Sequence, residues 1–108
     1  MKLVLSLFAF FATSSALADN VVCKQLDAQV VAEIVDIKPI EGTGLCEAEL
    51  SFDGPKALYL KNNYCALPYD EVLAKRVALK CQYEPGDQVI GLLYRSVFDV
   101  QIYFSRPE

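Results

Sequence analysis

The alternation of hydrophobic and polar residues is most regular between residues 46 and 53. In the segment CEAELSFD, apolar residues occupy the even positions and polar residues the odd positions. A period of two predicts a β-strand with one face in the core and the other in water. The core face is expected to carry Cys46, Ala48, Leu50 and Phe52, and the solvent face Glu47, Glu49, Ser51 and Asp53.

A strand is also predicted on each side of this segment. Residues 28–37 read AQVVAEIVDI and place apolar side chains on both parities, which predicts a strand that is largely buried on both faces. After residue 52 the turn-forming run DGP reverses the chain. Residues 57–60, with the sequence ALYL, then predict a short third strand.

Residues 68–79 have a different periodicity. Apolar residues recur there at spacings of three and four, as an amphipathic helix requires. Pro68 suits the first turn of a helix, and the order of acidic residues followed by basic ones suits the helix dipole. The residues concerned are Tyr69, Val72, Leu73 and Val77 on the apolar face, Asp70 and Glu71 at the beginning, and Lys75, Arg76 and Lys80 at the end.

Two more strands are predicted after the turn EPGD at residues 84–87. Residues 89–94 are mostly apolar, and Gly91 within them indicates a bulge or a bend. In the last strand, apolar residues alternate with polar ones. The apolar residues are Phe98, Val100, Ile102 and Phe104.

The predicted order is therefore strand, strand, strand, helix, strand, strand. This is a mainly β protein with one helix (α+β), and its element order resembles that of an OB-fold. We expect a small five-stranded OB-like barrel with the helix between the third and fourth strands. An antiparallel sheet packed on one helix, or a small sandwich, are the alternatives. The resemblance is to an architecture and rests on element order.

The N-terminus has the organisation of a secretory signal peptide. Lys2 precedes the apolar run LVLSLFAFFA, and Ala16-Leu17-Ala18 offers small residues at the two positions that signal peptidase reads. The run is too short to span a bilayer about 30 Å thick. We therefore expect residues 1–18 to be removed and residues 19–108 to form one small domain. It would be exported, to the periplasm of a Gram-negative cell or otherwise to the medium, with no membrane span.

Removing residues 1–18 takes away one lysine and no acidic residue, so the formal charge changes from −4 to −5. Binding to nucleic acid needs several basic side chains on one face. The nearest approach to such a cluster is Lys75, Arg76 and Lys80, in the predicted helix end. A nucleic-acid partner is therefore not expected.

Four cysteines, at positions 23, 46, 65 and 81, follow the predicted signal peptide. Small exported domains often depend on disulfides, and no CxxC pair indicates redox activity. Three pairings are possible. We favour Cys65–Cys81, because these residues flank the predicted helix, which leaves Cys23–Cys46.

Catalytic chemistry has little support in the sequence. The chain contains no histidine, which is the usual general base near neutral pH, and no metal or cofactor is expected. Glu47 and Glu49 project from one strand face and could serve as the carboxylate pair of a hydrolase. A solvated strand face is the simpler interpretation, so we do not expect an enzyme.

The preferred functional hypothesis is a non-catalytic binding module for a protein, a peptide or an envelope component. This class of binding module includes enzyme inhibitors and immunity-type proteins. A structural or accessory subunit of an envelope or secretion assembly is the alternative. The acidic row would suit a cationic protein or peptide, and tyrosine is enriched at binding surfaces. The candidate binding residues are Glu47, Glu49, Ser51, Asp53 and Tyr59.

Overall fold

The computed structural model describes residues 22–107, so the predicted signal peptide and its cleavage site lie outside the described residues. Within residues 22–107, six strands and one short helix follow one another. They are β1 (Gln25–Pro39), β2 (Leu45–Ser51), β3 (Leu58–Lys61), α1 (Tyr69–Ala74), β4 (Val77–Lys80), β5 (Gln88–Ser96) and β6 (Ile102–Ser105).

Five of the strands close into a barrel. The neighbours around it are β1, β2, β4, β6 and β5, which returns to β1. The pairings are antiparallel except for β4 with β6, which run parallel. The predicted fold class, a mainly β five-stranded barrel with one helix and two disulfides, is confirmed. The strand β3 is additional, and the helix comes between the second and third strands of the barrel.

The strand β3 continues the course of β2 along one edge of β1. Ser51 of β2 lies opposite Glu33, and Leu58 of β3 lies opposite Val31, which precedes Glu33 by only two residues in β1. Residues 52–57 leave this edge and return to it. On its far side, β3 has no partner among the described strands.

The core is formed by the inward side chains of the barrel strands. The alternation predicted for residues 46–53 is confirmed in β2, where Cys46, Ala48 and Leu50 are buried. Phe52 is partly buried and packs against the same core. The large side chains of the barrel strands that are fully buried are Val30, Ile34, Val77, Val89, Leu93 and Ile102. Leu67, in the segment before α1, is also fully buried and belongs to the same core.

The prediction that β1 is buried on both faces is wrong. Its inward residues Ala28, Val30, Ala32 and Ile34 are buried, but the outward Val35 is 47% exposed. In β1, only the inward face reaches the core. The register with β2 shifts between Ile34 and Asp36, and this bulge adds one residue and re-aims the strand.

The predicted helix is too long. It ends at Ala74, and residues 77–79 belong to β4, where all three side chains are buried. These residues pair with β2 on one side and with β6 on the other, and this pairing determines their extended conformation. The helical spacing of apolar residues, which extends as far as Val77, does not decide the structure here. Burial on both faces gives a short strand no alternation, which is why the sequence pattern does not reveal it.

The predicted last strand begins too early. Phe98 is 91% exposed and Val100 is also exposed, in a turn before β6. In this turn the carboxylate of Asp99 accepts hydrogen bonds from the N–H groups of Val100 and Gln101. Local turn chemistry of this kind competes with strand formation.

Gly91 does not form the bulge that the sequence indicates, because the register between β1 and β5 is continuous through it. Instead, its missing side chain admits β6. A Cβ atom at this position would lie 2.9 Å from ring atoms of Phe104 and would overlap the carbonyl oxygen of Ser105. Close approach of another strand is a recognised role of glycine in sheets.

The predicted disulfide pairing is wrong. The structure joins Cys23 to Cys65 and Cys46 to Cys81, not Cys65 to Cys81. Cys81 follows β4, which pairs with the strand that contains Cys46. The segment after Cys65 lies beside the beginning of β1, where Asp27 forms a bridge with Ala66. Strand pairing, rather than proximity to the helix, determines which cysteines meet.

Within residues 22–107, no helix has the length and hydropathy that are needed to cross a membrane.

Candidate functional site

The predicted acidic row lies on the outer face of β2 and in the turn after it. Glu47, Glu49 and Ser51 share the outward parity of the strand. Asp53 follows the end of β2, and its N–H donates a hydrogen bond of 3.2 Å to the hydroxyl of Ser51. The structure therefore keeps these four residues on one continuous segment of surface.

Two cations lie against this row. The Lys38 ammonium is 3.5 Å from the carboxylate of Glu47. The Arg76 guanidinium donates to Asp36 at 2.9 Å and is 3.9 Å from Glu49. Exposed ion pairs contribute little to stability, but they do reduce the negative potential that an incoming cationic partner would meet.

Tyr59 does not lie in the acidic row. Its hydroxyl donates a hydrogen bond of 2.6 Å to the carbonyl of Leu67, in the segment that leads into α1. Its ring packs edge-on against Phe52 and Tyr69, with centroids 5.6 and 4.9 Å away. Burial, together with the negative charge of Glu71 and the presence of Tyr69, raises the pKa of Tyr59 to about 12.

This aromatic cluster borders a groove beside the free edge of β3. The groove has a volume of about 330 Å³. The N–H of Asn62 donates to the carbonyl of Asp27, which fixes the hydrogen-bonding parity of the β1–β3 ladder. In such a ladder, Tyr59 and Lys61 direct their N–H and C=O groups away from β1. The groove is lined by Phe52, Ala57, Leu58, Tyr59, Lys61 and Tyr69.

The outer surface of β3, β1 and β5, which we call the apolar face, continues from this edge. One row across the three strands consists of Leu58, Val31 and Ile90. The next row consists of Leu60, Gln29 and Leu92. Leu58, Leu60 and Ile90 are substantially exposed. Concentrated apolar surface of this kind marks interaction sites more often than scattered exposed residues do.

The apolar face is shallowly concave. Two depressions, of about 470 and 500 Å³, adjoin each other and share Gln29 and Leu92 among their lining residues. The sequence contains part of this information in the odd-numbered apolar residues of β1. From the sequence, their pattern predicts a strand that is buried on both faces. Only the structure shows that the described residues leave the outer side of this sheet uncovered.

No group of three or more histidine, cysteine or carboxylate side chains is placed to hold a metal ion in the described part of the chain. The four cysteines are all oxidised. The surface features described above are a hydrogen-bonding strand edge, rows of apolar side chains and charged side chains, several of which form ion pairs.

No protein-family model matches the chain, and neither a curated protein nor a solved structure matches it.

Proposed function

We propose that this chain is an exported, non-catalytic binding module that takes up an extended segment of a partner protein at the free edge of β3. The observation that carries the proposal is the position of that edge. It borders the apolar face on one side and the aromatic groove on the other, so an added strand would find contacts for both of its faces.

Strand addition uses main-chain hydrogen bonds for affinity and alternate side chains for specificity. Here the N–H and C=O groups of Tyr59 and Lys61 supply the hydrogen bonds. Side chains of one parity extend the rows of Leu58 and Leu60, and side chains of the other parity enter the groove beside Phe52.

The charges at this edge define the partner further. Lys56 and Lys61 are exposed and form no ion pair with another described residue. A partner segment that places acidic residues beside them gains charge complementarity, which favours encounter and specificity. The strand has only four residues and ends in lysine, and both properties limit indiscriminate pairing.

Export is supported by the two disulfides, since oxidising compartments favour them. The proposed processing removes residues 1–18. Intact-mass measurement of the protein recovered from the medium or the periplasm should give a chain that begins at Asp19. A product that retains the first eighteen residues would contradict the proposed processing.

Site-specific photo-crosslinking tests the docking surface. Leu60 in β3 and Leu73 in α1 are almost equally exposed, at 50% and 53%. A photoreactive residue at position 60 should give a discrete protein adduct in the native export compartment, and the same residue at position 73 should not. Leu60→Asp should abolish capture by a probe at position 58, whereas Leu73→Asp should preserve it. Equal crosslinking from both positions would refute the proposed surface.

The acidic row stays a second candidate for a cationic protein or peptide. Replacing Glu47 and Glu49 by lysine would leave the β3 adduct unchanged if β3 is the docking edge, and would abolish it if the row binds the partner. A set of adducts from one large assembly would favour the accessory-subunit alternative. Turnover of a substrate that is lost in Glu47→Gln or Glu49→Gln would support the hydrolase alternative.

A further inference from the structure

The seam between β4 and β6 opens into a cleft. Their parallel pairing covers only two residues of each strand, ending at Ala78 and Tyr103. Beyond this point the strands separate, and a depression of about 630 Å³ lies at the opening, larger than either depression of the apolar face. It is lined by Leu45, Ala78, Leu79, Lys80, Gln82, Tyr83, Tyr94, Tyr103, Phe104, Ser105, Arg106 and Pro107.

Aromatic rings form much of this lining. Tyr94 and Tyr103 stack with their centroids 5.8 Å apart and their planes only 24° from parallel. Tyr83 packs edge-on against Phe104, with centroids 6.2 Å apart. Flat aromatic surface at a cleft suits a ligand that contains a ring, because rings bury large apolar areas and stack favourably.

The charge at this cleft is opposite to that of the chain, which has a formal charge of −4. Lys80 and Arg106 are the charged side chains among the described lining residues, and neither forms an ion pair with another described residue.

Two carboxylates near the cleft, among the described residues, have contacts of their own. Glu47, opposite Ala78 in the sheet, pairs with Lys38. Asp87 lines the adjoining depression together with Arg106, and its carboxylate accepts a hydrogen bond of 2.8 Å from the backbone N–H of Glu84.

We propose that this cleft binds a small anion that carries a ring, with Lys80 and Arg106 holding a carboxylate or phosphate group and the Tyr94–Tyr103 stack supporting the ring. Arginine suits this role because its planar fork matches both anions. The cleft shares Ser105 and Pro107 with one depression of the apolar face. The strands β1 and β5 separate it from the free edge of β3, and its ligand is a small anion rather than a protein segment, so the proposal goes beyond the proposed function and does not depend on it.

Titration of the full mature, oxidised protein with four probes tests the proposal, with backbone amide shifts in NMR as the readout. Phenyl phosphate and benzoate should shift the amides of residues 78–80 and 103–106, and comparison of the two distinguishes a phosphate ligand from a carboxylate ligand. Benzyl alcohol tests the need for charge, and inorganic phosphate tests the need for the ring. Both should bind at least about tenfold more weakly than the better ring anion.

Three exposed cations provide the variants. Arg106→Gln and Lys80→Gln should each weaken binding of the better ring anion about tenfold, whereas Lys56→Gln, in the turn before β3, should leave it unchanged. Thermal unfolding of each variant confirms that the fold is retained. Absence of shifts at millimolar probe, shifts centred outside the cleft, or equal weakening by all three variants would overturn the proposal.

Discussion

Arg95 at the end of β5 holds the carboxylate of Glu71 in the helix α1. Its Nη2 donates to Oε1 of Glu71 at 3.0 Å, and Lys75 donates to Oε2 at 3.0 Å. Arg95 also donates to the carbonyls of Ser96 and Asp99. Because the same guanidinium contacts α1 and the turn after β5, it stabilises the packing of the short helix against the end of the barrel.

The pKa of Glu71 makes this contact dependent on pH. Burial alone would raise the pKa, but the hydrogen bonds and charges of Arg95 and Lys75 outweigh it and hold the pKa below the ordinary value of 4.5. The folded-state pKa is lowered, so the stabilisation is fully present above about pH 4.5. It is lost as the pH falls through the lowered folded-state value.

Glu71→Gln should therefore lower the free energy of unfolding by about 1–3 kcal/mol at pH 7. It should also flatten the decline in stability below pH 4.5. Denaturant unfolding measured across neutral and acidic pH checks both effects. Asp70→Asn, at the exposed neighbouring position, is the matched control, and an equal effect from it would contradict the role of the Arg95 contact.

Tyr59 should produce a corresponding effect at alkaline pH. Its pKa is raised from 10.0 to about 12, so its contribution to stability is fully present below pH 10 and is lost between pH 10 and 12. Tyr59→Phe should cost about 1 kcal/mol at neutral pH through the lost hydrogen bond to Leu67, and its stability should fall less steeply above pH 10. Denaturant unfolding across this range, with the exposed Tyr64→Phe as control, provides the measurement. An identical alkaline decline in Tyr59→Phe and the unmodified protein would count against the raised pKa.

Gly91→Ala should destabilise the barrel by displacing β6. The added methyl group would overlap the carbonyl of Ser105 and press on the ring of Phe104. We expect a loss of about 1–3 kcal/mol, as for other overpacked sites. Gly54→Ala is the control, because a Cβ atom added at Gly54 would meet no other atom within 4 Å. Calorimetric unfolding should give a lower unfolding temperature for Gly91→Ala than for Gly54→Ala. Equal unfolding temperatures would contradict the prediction, because β6 would then move to accommodate the methyl group with no loss of stability.

The disulfide connectivity is open to direct chemical mapping. Proteolysis of the oxidised protein should release one peptide pair that contains Cys23 and Cys65, and another that contains Cys46 and Cys81. Removing either bridge by a double Cys→Ala substitution should cost about 3–4 kcal/mol, given the long loops that the bridges close. A peptide pair that joins Cys65 to Cys81 would contradict the structure.

The fold is predictable from the sequence where the local pattern and the tertiary environment agree. The strand β2 alternates because one of its faces meets the core and the other meets water. The strand β4 cannot be predicted in this way. Its residues are buried on both faces and begin two residues after a helix, and the helical spacing extends to its first residue, Val77.

The candidate site is predictable only in part. The acidic row follows from alternation alone, so its position is available from the sequence. The free edge of β3 follows from the pairing of β3 with β1, and the whole of β2 lies between these two strands in the sequence. The prediction that Tyr59 belongs to the acidic row is wrong for the same reason, because the position of Tyr59 depends on that pairing. The cleft between β4 and β6 requires knowing that two distant strands run parallel and then separate.

The long strand β1 has consequences for how the chain is assembled. It pairs with β2, β3 and β5, and its last partner ends at Ser96. Pairing over such sequence distances makes folding slow, because loop closure precedes the stabilising contacts. In a chain that emerges N-terminus first, β2 and β3 can pair with β1 early, but the edge of β1 that pairs with β5 stays unpaired until residues 88–96 have emerged. During this interval it depends on chaperones or on dilution to avoid aggregation.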